Sequence, residues 1–171
     1  LFRGQTLTDA EMVAFSRRFG GLDHAPIQET GRRFVEGFPE IYVVSNVMGA
    51  DGQPIGSLGA GEAIWHTDMS YNDLVGFTNV LYGIKIPRRE GRALGNTVFA
   101  NMHAAYDGLS DELKQKLHGM TATHDFNKFW EEMRQRPGST RPALTPEQRA
   151  KRPPAVHPVV MTHPITGLKI L

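Results

Sequence analysis

The sequence contains no cysteine in 171 residues, which removes disulfides, zinc fingers, iron–sulfur clusters and thiol nucleophiles together. It has no apolar run approaching the roughly 18 residues of a membrane helix. It has almost no net charge, since 19 Lys and Arg stand against 18 Asp and Glu for a formal +1. Nucleic acid is therefore not an expected partner. The opening Leu1-Phe2-Arg3-Gly4 is neither a start methionine nor a signal peptide, and a cytoplasmic location is the expectation. Nor does the chain have the polarity of a disordered segment, with 40% hydrophobic and 22% charged residues. What remains is a globular chain whose length suits one domain over residues 1–171.

Local signals place the elements. Thr8-Asp9-Ala10-Glu11 is a capping box that starts a helix carrying Met12, Phe15 and Phe19, and Gly20-Gly21 stops it. Residues 41–47 read as a buried strand, and residues 48–61, with five Gly and one Pro, as a loop. The β-rich run 77–86 reads as a long strand closed by Pro87. Helices are expected over 101–109, after the Ser110 cap, and over 127–136. Residues 136–154 hold five prolines and a short helix at 145–148, and read as a surface excursion or lid. Val159-Val160-Met161 and Leu168-Lys169-Ile170 flank a Gly-containing turn and form a hairpin. Strands with inserted helices make a mainly β, α+β core. Both ends of the sequence fall in strand-like residues, so a longer polypeptide is expected.

The densest chemistry is in Trp65-His66-Thr67-Asp68-Met69-Ser70-Tyr71. In an extended strand, residues two apart share a face, so His66 and Asp68 converge while Trp65 points away as a core anchor. An imidazole and a carboxylate supply two of the three ligands of a non-haem Fe(II) face. A strand histidine hydrogen-bonded to its neighbouring aspartate has the same spacing. A hydrolase holding zinc through the same pair is a second chemistry open to it.

The surroundings of this motif resemble the taurine dioxygenase family of Fe(II)- and 2-oxoglutarate-dependent enzymes. The similarity runs through Leu1-Phe2-Arg3-Gly4-Gln5, Phe15-Ser16-Arg17-Arg18-Phe19-Gly20, Trp65 to Tyr71, Leu81-Tyr82-Gly83-Ile84-Lys85-Ile86-Pro87, Asn96-Thr97-Val98-Phe99-Ala100-Asn101-Met102 and His157-Pro158-Val159-Val160. The resemblance implies a double-stranded β-helix, or jelly roll, incomplete at the C-terminal end of this chain. It implies Fe(II) on His66 and Asp68, 2-oxoglutarate held in part by Thr97, and O₂ as oxidant. It further implies hydroxylation of a small anionic, sulfonate-like substrate with release of succinate and CO₂.

The family's distal histidine ligand and its cosubstrate-binding arginine fall beyond Leu171, so a catalytically incomplete relative is an alternative. The turn before Thr97, residues 88–96, is longer than the family's short Gly-Gly turn. His24, Tyr71 and Asn72 are candidate substrate contacts. His157 and His163 read as scaffold, His103 and His118 as surface or packing residues, and His124 as a weaker ligand candidate. Arg32-Arg33 and Arg88-Arg89 read as solvated charge. A jelly roll interrupted at Leu171 leaves strand edges to be covered by more chain or by a partner, a second copy included.

Overall fold

The computed structural model describes residues 1–24, 35–45, 47–52, 55–56, 65–137, 139 and 141–171. Arg32, Arg33 and half of the 48–61 loop lie outside the described residues. The chain forms two compact units, one of Leu1–Thr67 with Phe77–Tyr82 and one of Asp68–Gly76 with Gly83–Leu171. No helix among the described residues is long and apolar enough to cross a membrane.

In the first unit, helix α1 (Asp9–Ser16) begins with the expected capping box. Thr8 accepts from the Glu11 backbone N–H, and the Glu11 carboxylate accepts from the Thr8 N–H at 2.8 Å. A 3-10 turn (Arg17–Phe19) follows, and Gly20 takes φ 138°, which ends it. Phe15 packs edge-on against Phe2 and Phe19, at centroid distances of 6.3 and 5.4 Å. Val13 is the buried residue of α1. Residues 41–45 join no ladder, yet they keep strand alternation, with Ile41, Val43 and Ser45 half-buried and Tyr42 and Val44 exposed.

The second unit holds the rest of the secondary structure. Strands β1 (Arg88–Arg89) and β2 (Arg92–Ala93) pair antiparallel. Their two-residue turn has Glu90 at φ 50° and Gly91 at φ 78°, the double left-handed geometry of a tight hairpin. Helices α2 (Met102–Asp107) and α3 (Asp111–Leu117) start at Asn101 and Ser110, whose side chains accept from Ala104 and Leu113 N–H. Strand β3 (Thr121–His124) is followed at once by α4 (Phe126–Arg134), capped by Asp125. Then come α5 (Pro146–Ala150) with its Thr145/Gln148 capping box, β4 (Ala155–Pro158), β5 (Met161–Thr162) and β6 (Lys169–Ile170). β3 pairs antiparallel with β4 over four residues, and β5 with β6 over two, as the predicted C-terminal hairpin.

The buried side chains of this unit are Trp130, Met133, Leu144, Ala155 and His157. Trp130 and Met133 lie on α4, Leu144 in the 141–152 stretch, and Ala155 and His157 on β4. Trp130 Nε1 donates to the Pro142 carbonyl at 2.8 Å, and Asn127 Nδ2 donates to those of Arg149 and Arg152 at 3.2 and 3.0 Å. The excursion is thus tied to α4 by its backbone.

Several expectations differ from the structure, among them the buried strand over 41–47, of which the described residues join no ladder. The 77–86 run joins no ladder among the described residues, and Phe77, Leu81 and Ile84 are 59, 73 and 85% exposed. An apolar run becomes a strand only when a neighbouring strand takes up its N–H and C=O groups. Trp65, expected as a core anchor, is 71% exposed. The observed class among the described residues is helices with three two-stranded antiparallel sheets.

Candidate functional site

The two predicted metal ligands fall on either side of the boundary between the units. Trp65 to Thr67 carry no regular structure, and Asp68 to Tyr71 form a turn rather than the continuation of a strand. The turn closes through the Asn72 N–H, which donates to the Met69 carbonyl at 3.0 Å, and Met69 sits at φ 60°. A left-handed methionine is uncommon, and it turns the chain immediately after Asp68. His66 and Asp68 both present exposed side chains.

The residues after Asp68 are held firmly. The Tyr71 ring packs on Phe126 at 5.0 Å between centroids, its hydroxyl donates to Met69 Sδ at 3.4 Å, and the Arg152 guanidinium lies over it at 5.4 Å. Arg152 also covers the Phe126 ring at 4.5 Å. His157, 8% exposed, has its Nε2 at 2.9 Å from the Asn72 carbonyl. A carbonyl only accepts, so Nε2 carries the proton and donates. His124 packs edge-on against His157 at 5.4 Å. Of the predicted residues, the structure therefore brings Asp68, Tyr71 and Asn72 into one anchored segment. What reading the sequence missed is the anchor, His157 with Arg152 and Phe126. One signal for it was present: alternation in Ala155-Val156-His157-Pro158 puts His157 on the face of the small Ala155.

The other candidates lie elsewhere. Thr97 is exposed in a stretch without regular structure. His24 is exposed in the first unit, near Glu40. That carboxyl is held below its ordinary value by its own backbone N–H first, with smaller contributions from Arg17, at 3.0 Å, and from His24. His103 is committed on both nitrogens, Nδ1 to the Lys169 carbonyl at 3.1 Å and Nε2 to Asp107 at 3.3 Å. His163 Nδ1 accepts from the Ile165 and Thr166 N–H groups. These two histidines line a cleft of about 460 Å³ with Met102, Leu168 and Ile170. Among the described residues no three His, Asp or Glu side chains gather at metal-binding distance.

An imidazole nitrogen and a carboxylate oxygen, both accessible, are donors of the kind that Fe(II) accepts. The pair His66 and Asp68 thus fits a ferrous ion in donor type, as two ligands of a larger set.

The chain is similar to several characterised proteins. It is 30% identical to pentalenolactone F synthase of Streptomyces avermitilis, over 98% of this chain and 55% of that protein. It is 31% identical to the alpha-ketoglutarate-dependent 2,4-dichlorophenoxyacetate dioxygenase of a Burkholderia species, over 100% of this chain and 56% of that one. An alkylsulfatase of Acinetobacter baylyi is 29% identical, over 99% and 49%. The chain thus spans about half the length of these relatives. The crystal structure of AAD-2 in complex with Mn(II) and N-oxalylglycine matches 99% of this chain and 56% of that one, with a TM-score of 0.63 at 26% identity. Over residues 1–171 the sequence matches the family described as taurine catabolism dioxygenase TauD, TfdA, and to that family the chain belongs.

Proposed function

We propose that the protein is an Fe(II)- and 2-oxoglutarate-dependent dioxygenase that hydroxylates a small anionic substrate, sulfonate-like in its charge and size. The observation that carries this reading is the family match over the whole chain, with His66-Thr67-Asp68 inside it. The AAD-2 complex supports it, because N-oxalylglycine has the shape of 2-oxoglutarate with an N–H in place of a methylene. The same likeness supports a jelly-roll core, to which the small sheets described above would belong. The names of two relatives support the substrate class, since a phenoxyacetate and an alkyl sulfate each carry one anionic group.

In this reading His66 and Asp68 hold the ferrous ion with a third ligand from outside residues 1–171. Bound there, Fe(II) with 2-oxoglutarate and O₂ supplies the oxidising power for C–H hydroxylation, and succinate and CO₂ leave. The chain's own work is geometric. Asp68 offers a carboxylate from the start of a braced turn, which would hold that ligand in one direction toward a ferrous ion. Thr97 offers a hydroxyl able to donate to a cosubstrate carboxylate. Tyr71 and Asn72, three and four residues after the ligand, would contact the substrate in this reading. His24 is a further substrate contact in this reading, its imidazole suited to an anionic group.

Asp68→Ala in the full-length protein is expected to lower Fe(II)-dependent succinate formation from 2-oxoglutarate by roughly 100-fold or more, since changes outside the ligand shell already cost about 10- to 100-fold. Succinate formation at the wild-type rate would overturn the assignment.

A further inference from the structure

We propose that His157 is a positioning residue for Asp68: the buried imidazole on β4 grips the turn that presents this carboxylate. The proposal rests on the ligand role of Asp68 given above and adds the residue that fixes its direction.

Three observations carry it. First, His157 has a defined place in the β3–β4 ladder. β3 and β4 pair along their full length, from Thr121↔Pro158 to His124↔Ala155. Strand alternation turns Ala155 and His157 inward, at 2 and 8% exposure, while Val156 faces out. A buried imidazole needs a partner for its N–H, and the partner here belongs to neither strand. It is the Asn72 carbonyl, 85 residues earlier, at 2.9 Å.

Second, the gripped carbonyl belongs to the last residue of the turn that begins directly after Asp68. The Asn72 N–H closes that turn on Met69 O at 3.0 Å. His157 therefore holds the C=O of the same residue whose N–H sets the turn. Any slip of Asn72 pulls on the peptide next to Asp68.

Third, the turn contains Met69 at φ 60°. A non-glycine residue keeps that conformation when its surroundings over-determine it. Those surroundings are His157 on the Asn72 backbone, and Phe126 and Arg152 on the Tyr71 ring. Tyr71 fixes where the turn lies, through ring faces that tolerate sliding. The hydrogen bond is directional and fixes how the turn is rotated, which is what aims a carboxylate.

The test uses the full-length protein without turnover. His157→Leu keeps the bulk and loses the donor, whereas His157→Gln keeps a side-chain N–H. Mn(II) affinity is read by titration of its paramagnetic resonance signal, and folding by the metal-free thermal midpoint. Leu144→Ala, a buried change elsewhere in the unit, supplies the purely destabilised control. The expected result is Mn(II) binding weakened about 10- to 100-fold in His157→Leu, largely recovered in His157→Gln, and unchanged in Leu144→Ala. Wild-type affinity in His157→Leu, or an equal loss in Leu144→Ala, overturns the positioning role. Asp68→Ala run alongside separates the two claims: if it too binds Mn(II) normally, the ligand assignment falls and takes this proposal with it. A second measurement needs no variant. The His157 ring signal in a nitrogen NMR spectrum of wild-type protein is expected to shift when Zn(II) is added, and an unmoved signal overturns the coupling.

Discussion

Glu131 on α4 accepts two hydrogen bonds from Arg134, at 2.6 and 2.9 Å, and one from Gln135, with the Arg149 guanidinium at 3.9 Å. These partners, Arg134 first and Gln135 next, hold its carboxyl at about 2 against an ordinary value of 4.5. A carboxyl whose folded pKa is depressed contributes stability that is complete above its unfolded pKa and is lost as pH falls through the folded one. The contribution of Glu131 should therefore disappear between about pH 4.5 and about pH 2. A Glu131→Gln protein is expected to show a flatter fall of thermal midpoint across that window, and identical acid limbs would refute it. At this scale much was legible in the sequence. A cap reaches only three residues, so Thr8 with Glu11 and Thr145 with Gln148 announce themselves. The family was legible through the motif blocks around His66 and Asp68. The turn that follows the pair was not legible, because nothing in Met69-Ser70-Tyr71 announces a left-handed methionine.

Helix α4 organises its surroundings more than its nine residues suggest. Its apolar side carries Phe126, Trp130 and Met133, and its Asn127 and Trp130 side chains hold the 141–152 stretch by carbonyls. Asn127 spends both of its N–H donors on Arg149 and Arg152 carbonyls and leaves Oδ1 buried without a partner. Asn127→Asp would set a carboxylate against two carbonyls and orphan the part-buried one of Arg152, so a loss of about 1–3 kcal/mol in unfolding free energy is expected. Chemical denaturation measures it, and a loss under about 0.5 kcal/mol would mean that the contacts carry no weight. Pairing between elements was the less legible part. β3 finds β4 more than thirty residues on, and nothing in Thr121 to His124 names that partner. Glu90-Gly91 escaped notice as a hairpin turn because the familiar signal is Asn-Gly or Asp-Gly.

Over the whole molecule, apolar exposure is the leading feature. Phe77, Leu81, Ile84, Val98 and Phe99 are 59 to 86% exposed, which is more apolar surface than a soluble chain ordinarily leaves in water. A polypeptide confined to residues 1–171 is expected to bind a hydrophobic dye strongly and to associate at micromolar concentration. Weak dye binding would mean that these side chains find cover within the 171 residues. The way the 141–152 stretch is moored has a different consequence, for sequence drift. Pro142 and Arg149 are gripped by their carbonyls, which every residue possesses. Substitution along the outer side of this strap can thus proceed without moving its path, as long as Asn127 and Trp130 stay. Family members should vary most in the strap's outward side chains and least in Asn127, Trp130 and the inward Leu144 and Arg152, so that a surface free to acquire new contacts rides on a backbone that does not wander.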